Sequence, residues 1–258
     1  QARGYDVYAT ARKTEAIADL AERGCHTLAL DVTAEESMSA AVAEVEKAAG
    51  GIDVLINNAG YSQSGAVESI PVEDVRAQFE TNVFGLIRMC QLVLPGMRER
   101  GQGRIVNIGS MGGRLTFPGG GVYHATKYAL EALSDALRFE VRGFGVDVIL
   151  IEPGLITTGF GEVASRSVDR AGQDATDPYA DFNRQVAKIT AEAYEGPMVK
   201  LGGGPEKVAE TIVKALGTRR PKARYPVTPS AHLMMGQRRI TPDRVWDLMM
   251  RAQFPTPK

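Results

Sequence analysis

The pentapeptide YHATK places a phenol and an ammonium group one helical turn apart, at Tyr123 and Lys127. Apolar residues at helical spacing follow them: Leu130, Leu133, Leu137 and Val141. This pattern predicts an amphipathic helix over 122–142, with Tyr123 in the apolar face and Lys127 at its edge. A cation about 5 Å from a phenol lowers the phenol's pKa by about two units, which suits a proton donor. A core tyrosine beside a lysine that reaches solvent fits the spacing equally well, so the pair alone leaves both interpretations open.

Polar or turn-forming residues also follow each of five predicted strands. In chain order they are Arg12, Asp31, Asn57 with Asn58, Ser110, and Pro153 with Gly154. Each is an ordinary turn residue when taken alone. In an open parallel sheet, however, ligands bind at the carboxyl ends of the strands. Because such residues follow all five predicted strands, the sequence predicts a ligand site at that edge of the sheet.

The elements that must position these residues alternate along the chain. Strands are predicted at 5–9, 26–30, 53–56, 104–108 and 146–151, and helices at 13–22, 34–48, 72–99 and 122–142. Beyond Pro153 the pattern predicts helices at 180–195, 205–216 and 241–252 and a strand at 223–227. This alternation is typical of a parallel sheet wrapped by helices. No linker or composition break divides the chain, so residues 1–258 are predicted to form a single α/β domain.

Composition excludes several classes of protein. The formal net charge of the 258 residues is −1, which gives no basic field for binding nucleic acid. The longest apolar runs, such as Val148–Ile151, are far shorter than the ~20 residues of a membrane span. Cys25 and Cys90 are too few for a disulfide framework, which favours a cytoplasmic setting.

The three histidines lack ligand spacing, so no metal site is predicted. Cys90 is interpreted as a buried thiol, Cys25 as a turn residue and His124 as an exposed neighbour of Tyr123.

Five motifs together resemble the short-chain dehydrogenase/reductase family. They are LDVT at 30–33, NNAG at 57–60, Ser110 within the glycine-rich segment 109–113, YHATK at 123–127 and PGLITT at 153–158. The resemblance covers nearly the whole chain and implies a Rossmann-like, doubly wound parallel sheet in three layers. The tail sequences GGGPEKVAETIVKAL and ITPDRVWDL are similar to the branch related to 17β-hydroxysteroid dehydrogenases.

The resemblance implies a set of catalytic residues for interconverting a carbonyl and an alcohol. Tyr123 would donate a proton to the developing alkoxide, and Ser110 would polarise the carbonyl oxygen. Lys127 would supply the charge beside the phenol and bind the cofactor ribose. Asn82, in FETNVFG, would hold a water molecule behind the lysine. The alternative for Asn82 is a mid-helix amide whose hydrogen bonds are satisfied within the protein.

Cofactor preference depends on the residues that follow the first predicted strand. An NAD-preferring enzyme places an acid there to bind the ribose 2′-hydroxyl, whereas this chain has Ala11 followed by Arg12 and Lys13. An arginine suits a 2′-phosphate, so NADP(H) is favoured over NAD(H), although two solvated charges at a helix start are also common.

The resemblance places further residues against the cofactor. Asp31 and Val32 would border the adenine, and Asn58 and Ala59 the adenine ribose. The segment after the fifth strand would border the nicotinamide, through Pro153, Gly154, Ile156 and Thr158.

Two segments of the chain bear on the substrate. Residues 155–200 are expected to form the wall and lid of a substrate pocket. The tail, 229–258, adds large apolar residues: Leu233, Met234, Met235, Trp246, Leu248, Met249, Met250 and Phe254. These predict a hydrophobic alcohol or ketone such as a steroid, retinoid or lipid, or else ordinary packing of a terminal helix. The resemblance also implies a homodimer or homotetramer through the helices at 72–99 and 122–142.

Two other functions remain open at this point. A sugar-nucleotide epimerase or dehydratase also uses a Tyr and Lys pair, but usually carries a larger substrate domain. A non-catalytic nucleotide-binding or scaffold protein is possible on the same fold, although Ser110, Tyr123 and Lys127 argue against it.

The resemblance also predicts that a segment is absent from the chain. The family begins with a strand, a TGxxxGxG turn and a helix that receives the pyrophosphate. Here the glycine clusters lie elsewhere, at 109–113, 119–121 and 202–204, and QARGYDVYAT is similar to the end of that first helix. The chain is therefore expected to be a fragment lacking roughly 25–35 residues. The absent strand would lie between those predicted at 5–9 and 53–56.

Overall fold

The computed structural model describes residues 3–157, 176–195, 200–254 and 256. The strands of this part of the chain are β1 (Tyr8–Ala11), β2 (His26–Ala29), β3 (Val54–Asn57), β4 (Gly103–Ile108), β5 (Val146–Glu152) and β6 (Arg224–Pro226). The helices before β5 are α1 (Ala18–Glu22), α2 (Glu35–Ala49), α3 (Val72–Phe79), α4 (Gly85–Arg100) and α5 (Gly121–Glu140). Those after β5 are α6 (Ala180–Glu195), α7 (Pro205–Leu216), α8 (Pro229–Ile240) and α9 (Asp243–Gln253).

The strands form two parallel sheets within the described residues. One contains β1 and β2, and the other has the order β3-β4-β5-β6. All the pairings are parallel, with register pairs such as Ile105↔Val148 between β4 and β5. Residues that follow the strands of one sheet therefore share its carboxyl edge.

Apolar side chains pack on both faces of the larger sheet. Ile105 and Val148 face a cluster with Leu130 of α5 and residues of α2 and α4. Their chain neighbours Val106 and Ile149 face the opposite side, where they pack against α7. Because successive strand residues point to opposite faces, this arrangement gives three layers, the α/β Rossmann-like fold that was predicted.

Helix α8 and strand β1 differ from the sequence-based prediction. The helix α8 was not predicted, although Thr228 caps it through a hydrogen bond from the Ala231 amide to Oγ1 (3.3 Å) and Pro229 occupies its first turn. The first strand begins later than predicted, at Tyr8, because its pairing with β2 starts at Tyr8↔His26. The rings of these two residues stack with centroids 4.5 Å apart.

The long helix predicted at 72–99 is interrupted. Between α3 and α4 the backbone forms a π-helical turn, Glu80–Phe84, which contains Asn82. Such turns insert one extra residue into a helix and often occur at functional sites. Of the helices in the described ranges, none is long and apolar enough to cross a membrane.

Candidate active site

Ser110 follows β4 in a turn that is tied to the end of β5. The Gly109 amide donates to the Ile151 carbonyl (2.8 Å), and the Met111 amide donates to the Pro153 carbonyl (2.8 Å). Ser110 caps the short 3₁₀ helix Met111–Gly113, since its Oγ accepts a hydrogen bond from the Gly112 amide (3.0 Å). The hydroxyl hydrogen of Ser110 is therefore not used in this bond.

Tyr123 and Lys127 lie one turn apart near the start of α5, as predicted. The Lys127 side chain is only 7% exposed, and its Nζ donates to the Ile108 carbonyl (2.8 Å) at the end of β4. The same Nζ lies 5.9 Å from the centroid of the Tyr123 ring. Burial lowers the pKa of Lys127 to about 8. The lysine is thus a core residue with its ammonium beside the phenol, not a side chain that reaches solvent.

Asn82 is joined to α5 by Thr126. Its Nδ2 donates to Thr126 Oγ1 (3.1 Å) and to the Tyr61 carbonyl (2.9 Å), and its Oδ1 accepts from the Tyr61 amide (3.1 Å). Thr126 Oγ1 in turn donates to the Tyr123 carbonyl (2.7 Å). Sequence analysis did not identify Thr126, although its helical position beside Tyr123 within YHATK was a usable signal.

The interpretation of His124 as an exposed neighbour of Tyr123 is wrong. The side chain is 7% exposed, and its ring centroid lies 5.6 Å from that of Tyr123. Burial lowers its pKa, an effect partly opposed by the hydrogen bond with the Gly112 carbonyl. Helical periodicity did not predict this burial, because it comes from the preceding segment, 112–120, which packs on the start of α5, and not from the sheet.

Arg12 and Asp31 lie beyond the ends of β1 and β2. Asp31 Oδ1 accepts from the amide (2.9 Å) and hydroxyl (2.7 Å) of Thr33. The pKa of Asp31 is lowered by these hydrogen bonds and, more weakly, by the charge of the exposed Arg12. Val32 packs against the start of α4, where a Cβ at Gly85 would lie 2.5 Å from the Val32 carbonyl oxygen.

The NNAG segment leads from β3 towards Lys127. Asn57 is structural, since its Nδ2 donates to Asn107 Oδ1 (2.9 Å) and to the sulfur of the buried Cys90 (3.4 Å). Asn58 and Ala59 are exposed.

Gly60, the next residue, approaches the catalytic candidates closely. A Cβ at this position would lie 3.2 Å from Asn82 Oδ1 and 3.9 Å from Lys127 Nζ.

The segment after β5 continues past Pro153 towards the C-terminal helices. A Cβ at Gly154 would lie 2.3 Å from Thr228 Oγ1, so only glycine fits this contact. The Leu155 amide donates to Ser230 Oγ (3.1 Å), and Ile156 forms a parallel bridge with Gly203. Thr158, and with it 158–175 and 196–199 of the predicted lid, lies outside the described residues.

A mostly apolar cavity of about 570 Å³ lies beside the segment that joins Ser110 to Tyr123. Its walls come from 65–67, 116–121, α5, α6, α8 and α9, with Phe117, Phe182, Trp246 and Met250 among the lining residues. Trp246 and Met250 also pack on Leu115, within the same segment. Of the eight apolar tail residues named from the sequence, Trp246 and Met250 line this cavity, whereas Leu233 and Leu248 are exposed.

Two carboxyl groups are buried together behind the Ser110 turn. Glu131 lies on α5, Glu152 ends β5, and both are about nine-tenths buried or more. Arg224 Nε lies 2.9 Å from Glu131 Oε2, and Arg114 Nη1 lies 3.7 Å from Glu152 Oε1. Burial, and then the charge of Glu131, raises the pKa of Glu152 to about 7.

Comparison with known proteins adds a family and several relatives. A family model described as short chain dehydrogenase matches residues 1–168. The 3-ketodihydrosphingosine reductase of Bacteroides thetaiotaomicron is 36% identical over 255 residues, which cover 98% of this chain and 90% of the relative. The NADPH-dependent 3-dehydrocapnine reductase of Ornithobacterium rhinotracheale is 34% identical over 256 residues, covering 95% and 87%.

Three solved structures that are similar to this chain are also dehydrogenases. A short-chain dehydrogenase from Streptomyces avermitilis superposes with a TM-score of 0.76 at 35% identity and covers 97% of this chain and 90% of its own. A serine dehydrogenase complexed with NADP⁺ gives 0.75 at 30% identity, covering 88% and 86%. An NAD⁺-bound xylitol dehydrogenase gives 0.72 at 25% identity, covering 88% and 89%. Relatives that bind either nicotinamide cofactor thus share this fold.

Proposed function

Because the chain belongs to the short-chain dehydrogenase family, and is an oxidoreductase of the short-chain type, we propose that it interconverts a hydrophobic ketone or aldehyde and its alcohol using NADP(H). The observation that carries this proposal is the buried Lys127 ammonium 5.9 Å from the Tyr123 ring. Removing the Lys127 ammonium from water costs free energy, and a pair with a purely structural role would not require this cost. In a proton donor the same charge stabilises the phenolate that forms when the proton leaves.

Tyr123, Ser110 and Asn82 have different roles in this reaction. NADPH, when bound, supplies the hydride. Tyr123 gives its phenolic proton to the oxygen of the substrate as negative charge develops there. Ser110 donates its free hydroxyl hydrogen to the same oxygen, while its Oγ is held by the Gly112 amide. Asn82 fixes the turn of α5 that carries Tyr123, through Thr126.

The residues fit a phosphorylated nicotinamide dinucleotide. Gly60 leaves open a space that a Cβ would fill, next to Lys127 Nζ. The exposed guanidinium of Arg12 lies in the field of Asp31, past the end of β1, where it suits a 2′-phosphate. We assign Asp31, Val32, Asn58 and Ala59 to the adenosine half. Pro153, Gly154, Ile156 and Thr158 are assigned to the nicotinamide half.

Replacing Tyr123 tests the mechanism. We expect Tyr123→Phe to lower turnover by at least about 100-fold, because it removes one proton donor and little packing. The Kd for NADPH should stay within about threefold, whereas Lys127→Ala should damage both. The measurements are NADPH oxidation by absorbance, over a panel of aldehydes, ketones, steroids and quinones, and calorimetric NADPH binding.

Tyr5→Phe is the matched control, because it removes the same hydroxyl from an exposed tyrosine. Activity of Tyr123→Phe within about threefold of the parent would contradict the mechanism. Turnover without a change in nicotinamide absorbance would favour an epimerase instead.

The apolar cavity supports a hydrophobic substrate and offers a direct test. Trp246 lines it and is the chain's single tryptophan, so tryptophan emission comes from one side chain at the wall of this cavity. We expect long alkyl or steroid alcohols to change the emission. Val67→Phe should weaken their binding about tenfold, because Val67 lines the cavity but is 69% exposed and tolerates a larger side chain.

Val72→Phe is the matched control, since Val72 is exposed on α3 and is not among the lining residues. An unchanged emission with every probe, or equal effects of the two variants, would show that the cavity does not take the substrate.

We also propose an assembly and a cellular location for the protein. Phe84, Tyr128 and Phe139 expose aromatic rings next to or on α4 and α5, which supports a homodimer or homotetramer through these helices. The free thiols of Cys25 and Cys90 support a cytoplasmic setting.

A further inference from the structure

Two hydrogen bonds fix the protonation state and orientation of the His124 ring. The Phe117 amide donates to Nε2 (3.2 Å), so Nε2 carries a lone pair. Nδ1 lies 2.9 Å from the Gly112 carbonyl oxygen, so it must carry the hydrogen and donate. Both bonds are satisfied only by the neutral tautomer with its hydrogen on Nδ1. Burial, which lowers the pKa of His124, favours that neutral form.

The His124 ring packs so closely on two glycines that no larger residue fits at either position. A Cβ at Gly112 would lie 2.7 Å from Nδ1, and a Cβ at Gly120 would lie 2.7 Å from Nε2. The Phe117 and Tyr123 rings meet it edge-on, with centroids 5.9 Å and 5.6 Å away. His124 therefore holds the 112–120 segment against the first turn of α5.

Each of the two bonds leads to a different part of the site. Gly112 accepts from Nδ1 with its carbonyl and, through its own amide, donates to Ser110 Oγ. Phe117 donates to Nε2 with its amide, and its side chain lines the apolar cavity. One imidazole thus connects the Ser110 hydroxyl and the cavity wall to the residue next to Tyr123.

We propose that His124 is a positioning residue with two separable roles, in which Nδ1–H sets the position of Ser110 Oγ and Nε2 sets the wall of the substrate cavity. The inference rests on the proposed function for its kinetic consequences. Loss of the first bond lowers kcat, because Ser110 stabilises charge that develops only in the transition state. Loss of the second raises KM, because the cavity wall contacts the substrate in ground state and transition state alike.

Two conservative variants separate the roles. In His124→Asn the amide nitrogen occupies the place of Nδ1 and keeps the donor to Gly112, but nothing reaches Phe117. In His124→Gln the amide oxygen occupies the place of Nε2 and keeps the acceptor for Phe117, but the donor is lost. His124→Phe retains the ring and removes both bonds.

We expect His124→Asn to keep kcat within about threefold and raise KM about tenfold. His124→Gln should show the reverse, with KM retained and kcat lowered about tenfold, the equivalent of one net hydrogen bond. His124→Phe should show both losses. Equal changes of kcat and KM in the Asn and Gln variants would overturn the assignment of separate roles.

Two readouts need no turnover and keep this inference distinct from the proposed function. Nitrogen NMR of the full chain should show His124 as the neutral Nδ1–H tautomer. Amide exchange at Phe117 should be faster in His124→Asn than in His124→Gln. The opposite tautomer, or equal exchange in the two variants, would refute the positioning role even if the protein reduces carbonyls. The expected tautomer and exchange in a protein that binds NADPH but turns over no carbonyl would instead refute the proposed function and leave the geometry of the His124 ring unchanged.

Discussion

Arg12 is the side chain to which we assign recognition of the cofactor's 2′-phosphate. It is exposed, and within the described ranges it forms no salt bridge, so its guanidinium is available to a ligand. The nearby Asp31 carboxylate already accepts two hydrogen bonds from Thr33. A phosphate at this position would gain a charge-assisted hydrogen bond from Arg12, whereas a ribose 2′-hydroxyl would gain much less.

We expect Ala11→Asp combined with Arg12→Gln to shift the ratio of kcat/KM for NADPH over NADH by at least about tenfold towards NADH. The change removes an attraction for the 2′-phosphate and adds a repulsion. Calorimetric Kd values for the two cofactors provide a readout independent of turnover. Arg23→Gln, which removes an equal exposed charge beyond α1, is the control. An unchanged ratio would show that Arg12 is a solvated surface charge.

Helical spacing was enough to predict that Tyr123 and Lys127 lie one turn apart on the same helix, and Asn82 was added to them by the resemblance to the family. Neither was enough for His124. Its burial depends on Gly112 and Gly120 in another segment, and no local pattern encodes that contact. Likewise, Lys127 was predicted at the edge of the apolar face, whereas it is buried and bonded to the Ile108 carbonyl.

At the level of elements, two buried carboxyl groups meet where α5 packs against the end of β5. Glu131 and Glu152 face each other, and Arg114 and Arg224 offset their charge only in part. The raised pKa of Glu152, about 7, means that the folded protein binds a proton there that the unfolded chain releases at a pH near 4.5. The contribution of this site to the free energy of unfolding is therefore largest below about pH 4.5 and is lost as the pH rises from there through about 7.

We expect Glu152→Gln to be more stable than the parent at pH 8, by several degrees in Tm, and to lose most of that advantage at pH 5. The amide fills the same space without the cost of a buried charge. Thermal melts of both proteins across this range measure the effect. Glu140→Gln removes an exposed carboxylate and should show no such pH dependence. A parallel pH dependence of the parent and Glu152→Gln would contradict the raised pKa.

The order and type of most elements could be predicted from periodicity, but two could not. The π-helical turn Glu80–Phe84 continues a helical pattern, and only its tertiary bonds to Tyr61 and Thr126 distinguish it. Helix α8 contains proline, serine and glycine, which weaken a helical pattern, and it is held by the cap at Thr228 and by packing of Ala231. Both are elements whose local signal is overridden by tertiary contacts.

For the whole molecule, the strands divide into two sheets between β1 and β3, where the sequence analysis placed an absent strand. Among the described residues, β1 pairs only with β2, and β3 pairs only with β4. Side chains that follow β2 connect the two parts, since Leu30 and Val32 pack against the same cluster as residues of α2 and α4. The large side chain of Ile56, on β3, is 44% exposed although it lies within a strand. A further strand between β1 and β3 would pair both free edges and cover this surface.

We therefore expect an N-terminal strand–glycine turn–helix segment, fused ahead of residue 1, to raise both the cooperativity of melting and the affinity for NADPH. The strand would pair with β1 and β3, and the glycine turn would offer free amides to the pyrophosphate. A fusion with alanines in place of the turn glycines separates the two effects: it should recover the melt but not the affinity. Calorimetry on the 258-residue chain and on both fusions measures each. A cooperative melt of the 258-residue chain together with micromolar NADPH affinity would show that β1 and β3 need no strand between them.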